Sequence, residues 1–242
     1  RRSRVPITRI LEISLITGVW PSVSFVELSY CEDVMESADH DEQMLRRARV
    51  WERVASLELD ALLVTHLPNI FYISGLRATA AAALLFGEEM ELLTDFRYLS
   101  DAFGLASRNR AHLRVVKVEP SYDETICNRL VQGGFSRVGV ESNEMSLRRW
   151  RWLSKSLEGQ VSFVPTEGLI EEFRMVKGPE EIETLRTAGH LLSRVVAPAL
   201  ELVRAGRSER EIAADIDRAV VEVGFEGRAF ETIVASGPNS AF

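Results

Sequence analysis

Between Asp60 and Pro165 short apolar runs alternate with amphipathic stretches, and no other feature restricts the possible folds of this chain so much. DALLVT at 60–65 reads as a buried strand leading into a turn at HLPN. Ala80–Phe86 and Met90–Thr94 flank Gly87-Glu88-Glu89, the pattern of a hairpin. HLRVVKV at 112–118 and RVGVE at 137–141 are further strands, separated by a helical segment from Thr125 to Val131 that stops at Gly133-Gly134. SLRRWRWLSKSL followed by VSFVP repeats the helix-then-strand order, and Met44, Ala48, Trp51 and Ala55 recur at helical spacing ahead of it all. Helices alternating with short apolar strands make residues from roughly 41 to 166 an α/β domain.

The following region has a different character. Gly178-Pro179-Glu180-Glu181 is a helix start, with proline in the first turn and acids at the positive end of the dipole. Ile182, Leu185, Leu192, Val196, Ala199 and Val203 mark one apolar face of that helix. A second helix opens with Ser208 and Glu211 at capping-box spacing, carries Ile212, Ile216, Ala219 and Val223, and ends at Gly224. A strand is expected over Phe230–Ala235, then a tight turn at Ser236-Gly237-Pro238-Asn239-Ser240. Two amphipathic helices and one strand need a further surface to bury their apolar faces, so this second domain is expected to be incomplete.

Charge and cysteine usage exclude several function classes. Lys plus Arg number 29 against 36 Asp plus Glu, a net charge of -7, which argues against a general grip on nucleic acid. Cys31 and Cys127 form no CxxC pair and are too few for a disulfide scaffold, so the cytoplasm is the expected compartment. Residues 1–34 begin with Arg1, and Arg9, Glu12 and Pro21 interrupt their apolar stretch, so they are read neither as a signal peptide nor as a membrane span. They are expected to be a non-native or disordered extension, with Met35 the natural start, and the domains are drawn at 1–34, 35–166 and 167–242.

Four segments, PNIFYISGL (68–76), LLTDFRYLSDA (92–102), RMVKGPEEIETLR (174–186) and FETIVASGPNSA (230–241), stand in the order found in Xaa-Pro aminopeptidases and prolidases, and over about residues 45–242 the chain resembles that family. The resemblance implies a creatinase-type N-terminal α/β domain followed by the opening helices and first strand of an incomplete pita-bread catalytic domain. It also implies a proline-specific metallopeptidase acting on peptides with proline at the second position, and it leaves a homodimer open. In the family S-G-x-N-S-A is followed by one variable residue and then Pro-His, and Phe242 takes the variable place. The carboxylates and histidine that hold two divalent ions (manganese, cobalt or zinc) lie further downstream in relatives. The expectation is a chain that stops just before its chemistry, with no cofactor, catalytic residue or metal ligand of its own and no activity alone.

What remains are candidate positions. Ser236, Gly237, Asn239 and Ser240 form the turn that the resemblance sets beside the active site, and neither serine has a paired base to make it a nucleophile. Asp95, Arg97 and Tyr98 are substrate-path candidates, with the competing reading that Asp95 caps the helix after its strand. His40, His66, His112 and His190 are scattered and form no ligand pattern. Gly133-Gly134 precedes a strand, the wrong order for a phosphate loop. The alternatives are a non-catalytic module for oligomerisation or substrate gating and, on the same architecture, a creatine amidinohydrolase.

Overall fold

The computed structural model describes residues 42–108 and 112–241, and the readings on residues 1–34, Met35 and His40 lie outside them. The chain divides into two compact units, one running to Arg174 and the other from Met175.

In the first unit helix α1 (42–55) leads to strand β1 (Ala61–Val64) and helix α2 (Leu67–Ser74). The hairpin β2 (Ala82–Phe86) and β3 (Glu89–Thr94) follows, then α3 (Leu99–Arg108), β4 (Leu113–Lys117) and α4 (Tyr122–Gly133). The unit closes with β5 (Arg137–Glu141), α5 (Leu147–Ser156) and β6 (Ser162–Thr166), and α6 (Glu171–Met175) leads out of it. The six strands form one sheet in the order β4-β3-β2-β1-β5-β6. β2 is antiparallel to both its neighbours and every other pairing is parallel, so the carboxyl ends of β1, β3, β4, β5 and β6 share one edge.

Period-two alternation divides the core. Leu62, Val64, Leu85, Met90 and Leu92 face α1, α2 and α3, where Val54, Ile70, Ile73 and Ala102 meet them. Ala61, Leu63, Leu84, Leu93 and Val140 face the other way, onto Ile126 and Leu130 of α4 and Leu153 of α5. Helices on both faces explain why β1 is buried at every position. Gly134 ends α4 in the left-handed region at φ 67°, as the sequence predicts.

Two expectations for this unit shift. HLPN is a helix start rather than a turn, with His66 at the N-cap position and Pro68 in the first turn, where its missing N–H costs nothing. The buried face of α1 is Gln43, Arg47, Val50 and Val54, the expected spacing moved back one residue, and Ala48 and Ala55 are exposed. Arg47 is 1% exposed and donates to the carbonyl of Ile73 at 3.2 Å, so a charged residue lies in what reads as a core stripe.

The second unit consists of α7 (Pro179–Leu202), α8 (Glu209–Glu222) and a short 3-10 turn, Gly237–Ala241. α7 packs against α8, with Val195 the buried residue of one and Ile212 of the other. The strand expected over Phe230–Ala235 does not form: a strand needs a ladder partner, the described residues of this unit contain none, and Phe230 and Ile233 are exposed.

Candidate functional site

The terminal turn is organised by the start of α8. Ser208 caps this helix by accepting from the Glu211 amide at 3.3 Å, and the Glu211 carboxylate accepts from the Ser208 amide at 2.9 Å. That reciprocal cap leaves the carboxylate of Glu209, one residue on, free for other partners. Its Oε1 accepts from the Ser236 amide at 2.6 Å and the Ser236 hydroxyl at 3.0 Å, and its Oε2 from Asn239 Nδ2 at 2.9 Å. Asn239 first, then Ser236, hold the Glu209 carboxyl below its ordinary range, because these bonds favour the charged form. Ser240 donates to the Gly237 carbonyl at 2.7 Å, and Gly237 itself has φ 52°. Both hydroxyls are thus committed to acceptors: Ser236 to a carboxylate whose hydrogen bonds hold it charged and make it a weak base, and Ser240 to a backbone carbonyl.

The Asp95 group lies at the carboxyl edge of the sheet, just past β3. Asp95 accepts from Arg97 Nε at 2.9 Å and Arg97 Nη2 at 2.8 Å, a two-pronged pair, and from the Arg97 amide at 3.1 Å. The Tyr122 hydroxyl lies 3.2 Å from the same carboxylate and 2.9 Å from the Ala80 carbonyl. Tyr98 shares a 2.6 Å hydrogen bond with the Thr79 hydroxyl. The Arg97 guanidinium holds the Asp95 carboxyl down at about 2 and is itself raised by that partner. Asp95 does not cap α3. Its side chain closes a turn two residues on, and Tyr98 supplies the carbonyl that accepts from the Ala102 amide in the first turn of the helix.

A third polar group sits at the same edge, where β1 and β5 end side by side. Glu141 accepts from the Thr65 and His66 amides at 2.6 and 2.8 Å and from Asn69 Nδ2 at 2.7 Å. Asn69 also donates to Glu171 at 2.6 Å and accepts from Arg174 at 2.8 Å. His66 stands between Glu144 and Glu171, at 3.7 and 3.6 Å. Burial pushes the Glu171 carboxyl up, but the Asn69 bond and the other bonds outweigh it and hold the group lowered. His112 lies 4.0 Å from Glu88. Among the described residues no group of three or more His, Cys, Asp or Glu is arranged to hold a metal ion.

Comparison with known proteins bears on these geometries. The family model for the Creatinase/Prolidase N-terminal domain matches residues 46–176, more than half of the chain. The chain belongs to the creatinase/prolidase family. The model for Metallopeptidase family M24 matches residues 183–242. The Xaa-Pro dipeptidase of Pyrococcus horikoshii is 28% identical over 183 residues, covering 76% of this chain and 49% of the relative. An uncharacterized peptidase of Bacillus subtilis, YqhT, is 26% identical over 185 residues, 76% of this chain and 51% of its own length. Among solved structures, the prolidase from Pyrococcus horikoshii superposes with a TM-score of 0.68 at 26% identity, covering 81% of this chain and 54% of that one. An Xaa-Pro dipeptidase from Bacillus anthracis gives 0.74 at 24% identity, covering 82% and 54%, and supports the fold. The chain spans about half the length of the curated relatives it matches.

For a creatinase/prolidase member the three groups differ in kind. A metallopeptidase needs a convergent set of carboxylate and imidazole donors, and the described residues do not supply one. The sequence reading names the residues of the Ser236–Ser240 turn and of the Asp95 group as candidates, and it does not name Glu209, Asn69 or Glu141, which the structure ties into polar clusters. The signal for Glu209 was present: a capping box at Ser208 and Glu211 sets the intervening acid in the first turn with no partner of its own. Asn69 lies in the first turn of α2, just past β1, and Glu141 ends β5, so the two meet only because β1 and β5 pair.

Proposed function

We propose that this chain carries part of a proline-specific metallopeptidase, an Xaa-Pro aminopeptidase or Xaa-Pro dipeptidase, which cleaves the bond between a residue and the proline that follows it. One observation supports this above the others: the creatinase/prolidase and M24 models match in series, 46–176 and then 183–242, and an Xaa-Pro dipeptidase aligns over 183 residues. Two divalent ions, of manganese, cobalt or zinc, would supply an activated water and polarise the scissile carbonyl. Their ligands would come from outside these 242 residues, which alone are expected to hydrolyse no peptide.

The roles left to this chain are positional. Ser236, Gly237, Asn239 and Ser240 form the turn beside the active site, and Asp95, Arg97 and Tyr98 border the substrate path. Arg97 keeps 48% of its side chain exposed while Asp95 fixes its orientation, and its Nη1, held only by a 3.5 Å contact with the Thr79 hydroxyl, offers a guanidinium edge to a peptide carbonyl or carboxylate. A reducing compartment, the cytoplasm, fits a buried free thiol at Cys127, pushed up to about 11 by burial. No helix among the described residues is long and apolar enough to cross a membrane. Neither a membrane nor nucleic acid is expected as a partner, and a homodimer is compatible with the reading.

A second reading, a non-catalytic module for oligomerisation or substrate gating, draws on the apolar row Leu185, Leu192, Val196 and Leu200, which is exposed on α7. Substrate preference separates the two. A form extended in frame is assayed with Ala-Pro, Ala-Pro-Ala and Ala-Ala. Cleavage confined to the proline peptides and abolished by a chelator is expected, whereas a folded, metal-loaded protein that cleaves none of them favours the module.

A further inference from the structure

We propose that Glu209 is a positioning residue, a carboxylate clamp that sets the Ser236–Ser240 turn against the start of α8. The role of that turn beside the active site rests on the reading given above; the clamp itself rests on geometry.

Each feature of the site fits a clamp better than incidental contact. The Glu209 carboxylate uses both oxygens, and its three donors come from both ends of the turn: the Ser236 amide and hydroxyl at one end and the Asn239 amide group at the other. A 3-10 turn of five residues, Gly237–Ala241, with no buried residue has little packing to hold it, so its order depends on hydrogen bonds. The preceding residues form no strand that would anchor it. On the helix side, the reciprocal cap between Ser208 and Glu211 satisfies the helix end by itself, so Glu209 is not needed to start the helix.

The charges around the clamp leave it a clean anion. The turn has no titratable side chain. At the same end of α8 Arg207 is paired with Asp215 at 2.6 Å, and Glu211 is held by Ser208. Protonation of Glu209 would weaken all three bonds together, since each is made to the charged form. The turn therefore loosens as pH falls below the usual glutamate range and is fully set above it.

Amide hydrogen exchange on the 242-residue chain tests the clamp. In Glu209→Ala and Glu209→Gln, exchange at Ser236 and Asn239 is expected to accelerate, by about tenfold or more in the alanine variant, while the amides of Ile212 to Val220 keep wild-type rates. The pH profile separates clamping from general stability: wild-type protection at Ser236 should fall as Glu209 titrates, and the glutamine variant should be flat over that range. Asn239→Ala should loosen the Ser236 end by less, because the Oε1 bonds remain. Unchanged exchange at Ser236 in the alanine variant, or acceleration equal to that of α8, overturns the clamp. In a form extended in frame, Glu209→Gln should lower kcat on Ala-Pro with little change in KM; wild-type kcat in that variant removes the turn from catalysis. Absence of turnover in the extended wild type sinks the functional reading and leaves the clamp to the exchange result.

Discussion

The Asn69 amide donates to the Glu141 carboxylate at 2.7 Å across 72 positions of sequence, at the edge where β1 and β5 end. Asn69 is fully buried and also serves Glu171 and Arg174, so one side chain satisfies three charged partners. Asn69→Ala leaves those groups short of partners inside the protein, and a loss of about 2–4 kcal/mol is expected. Asn69→Asp should cost more, because it sets a third carboxylate between two others. Chemical denaturation of the first unit measures both, and a loss in either variant below about 0.5 kcal/mol contradicts the role given to this network.

Acid should act visibly at Asp95. Arg97 holds its carboxyl at about 2, below the ordinary 3.8, so the stability it contributes is complete above the ordinary value and is lost as pH falls through about 2. Arg97→Met removes that dependence. Thermal midpoints measured from pH 6 to pH 2 should show the gap between wild type and variant closing between about pH 4 and 2. A gap that stays constant over that range would show that the pair is not coupled to folding.

The α/β order of the first unit was legible because each strand is a short apolar run between helical patterns. The hairpin turn at Gly87 and the helix stop at Gly134 both occur where their residue types predict them. The face of α1 was misread because polar Gln43 and charged Arg47 interrupt the buried stripe, and a pattern of apolar residues alone cannot count a buried arginine. The Phe230–Ala235 segment has strand composition but no ladder partner among the described residues, and composition does not supply a partner. Asn69, Glu141 and Glu209 were out of reach for a related reason: their partners lie 72, 72 and about 27 to 30 positions away, and only pairing of elements brings them together.

Gly134 offers a backbone test. At φ 67° with open space around the position of a Cβ, Gly134→Ala meets no clash and pays only the left-handed conformation. A loss of about 1 kcal/mol is expected, or roughly 2–4 °C in thermal midpoint. Gly139 is the contrast, since an added Cβ would lie 2.9 Å from Leu59, and Gly139→Ala should cost more. Equal effects at the two positions would contradict this distinction.

The apolar row on α7 should be detectable in solution. Leu185, Leu192 and Leu200 are 59%, 53% and 70% exposed, and with Val196 they follow one side of the helix. The 242-residue chain is expected to bind a hydrophobic dye, and Leu192→Lys with Val196→Lys should reduce that binding without unfolding α7. Absence of dye binding by a folded chain would show that the row is covered.

In the proposed Xaa-Pro metallopeptidase the metal ligands would come from outside residues 1–242. Metal titration monitored together with hydrolysis of Ala-Pro, on residues 1–242 and on a form extended in frame through the rest of the M24 region, tests it most directly. The expected result is no stoichiometric binding of manganese, cobalt or zinc and no turnover by the 242 residues, with a bound metal pair and chelator-sensitive turnover in the extended form. Metal-dependent cleavage of Ala-Pro by the 242 residues alone would contradict it.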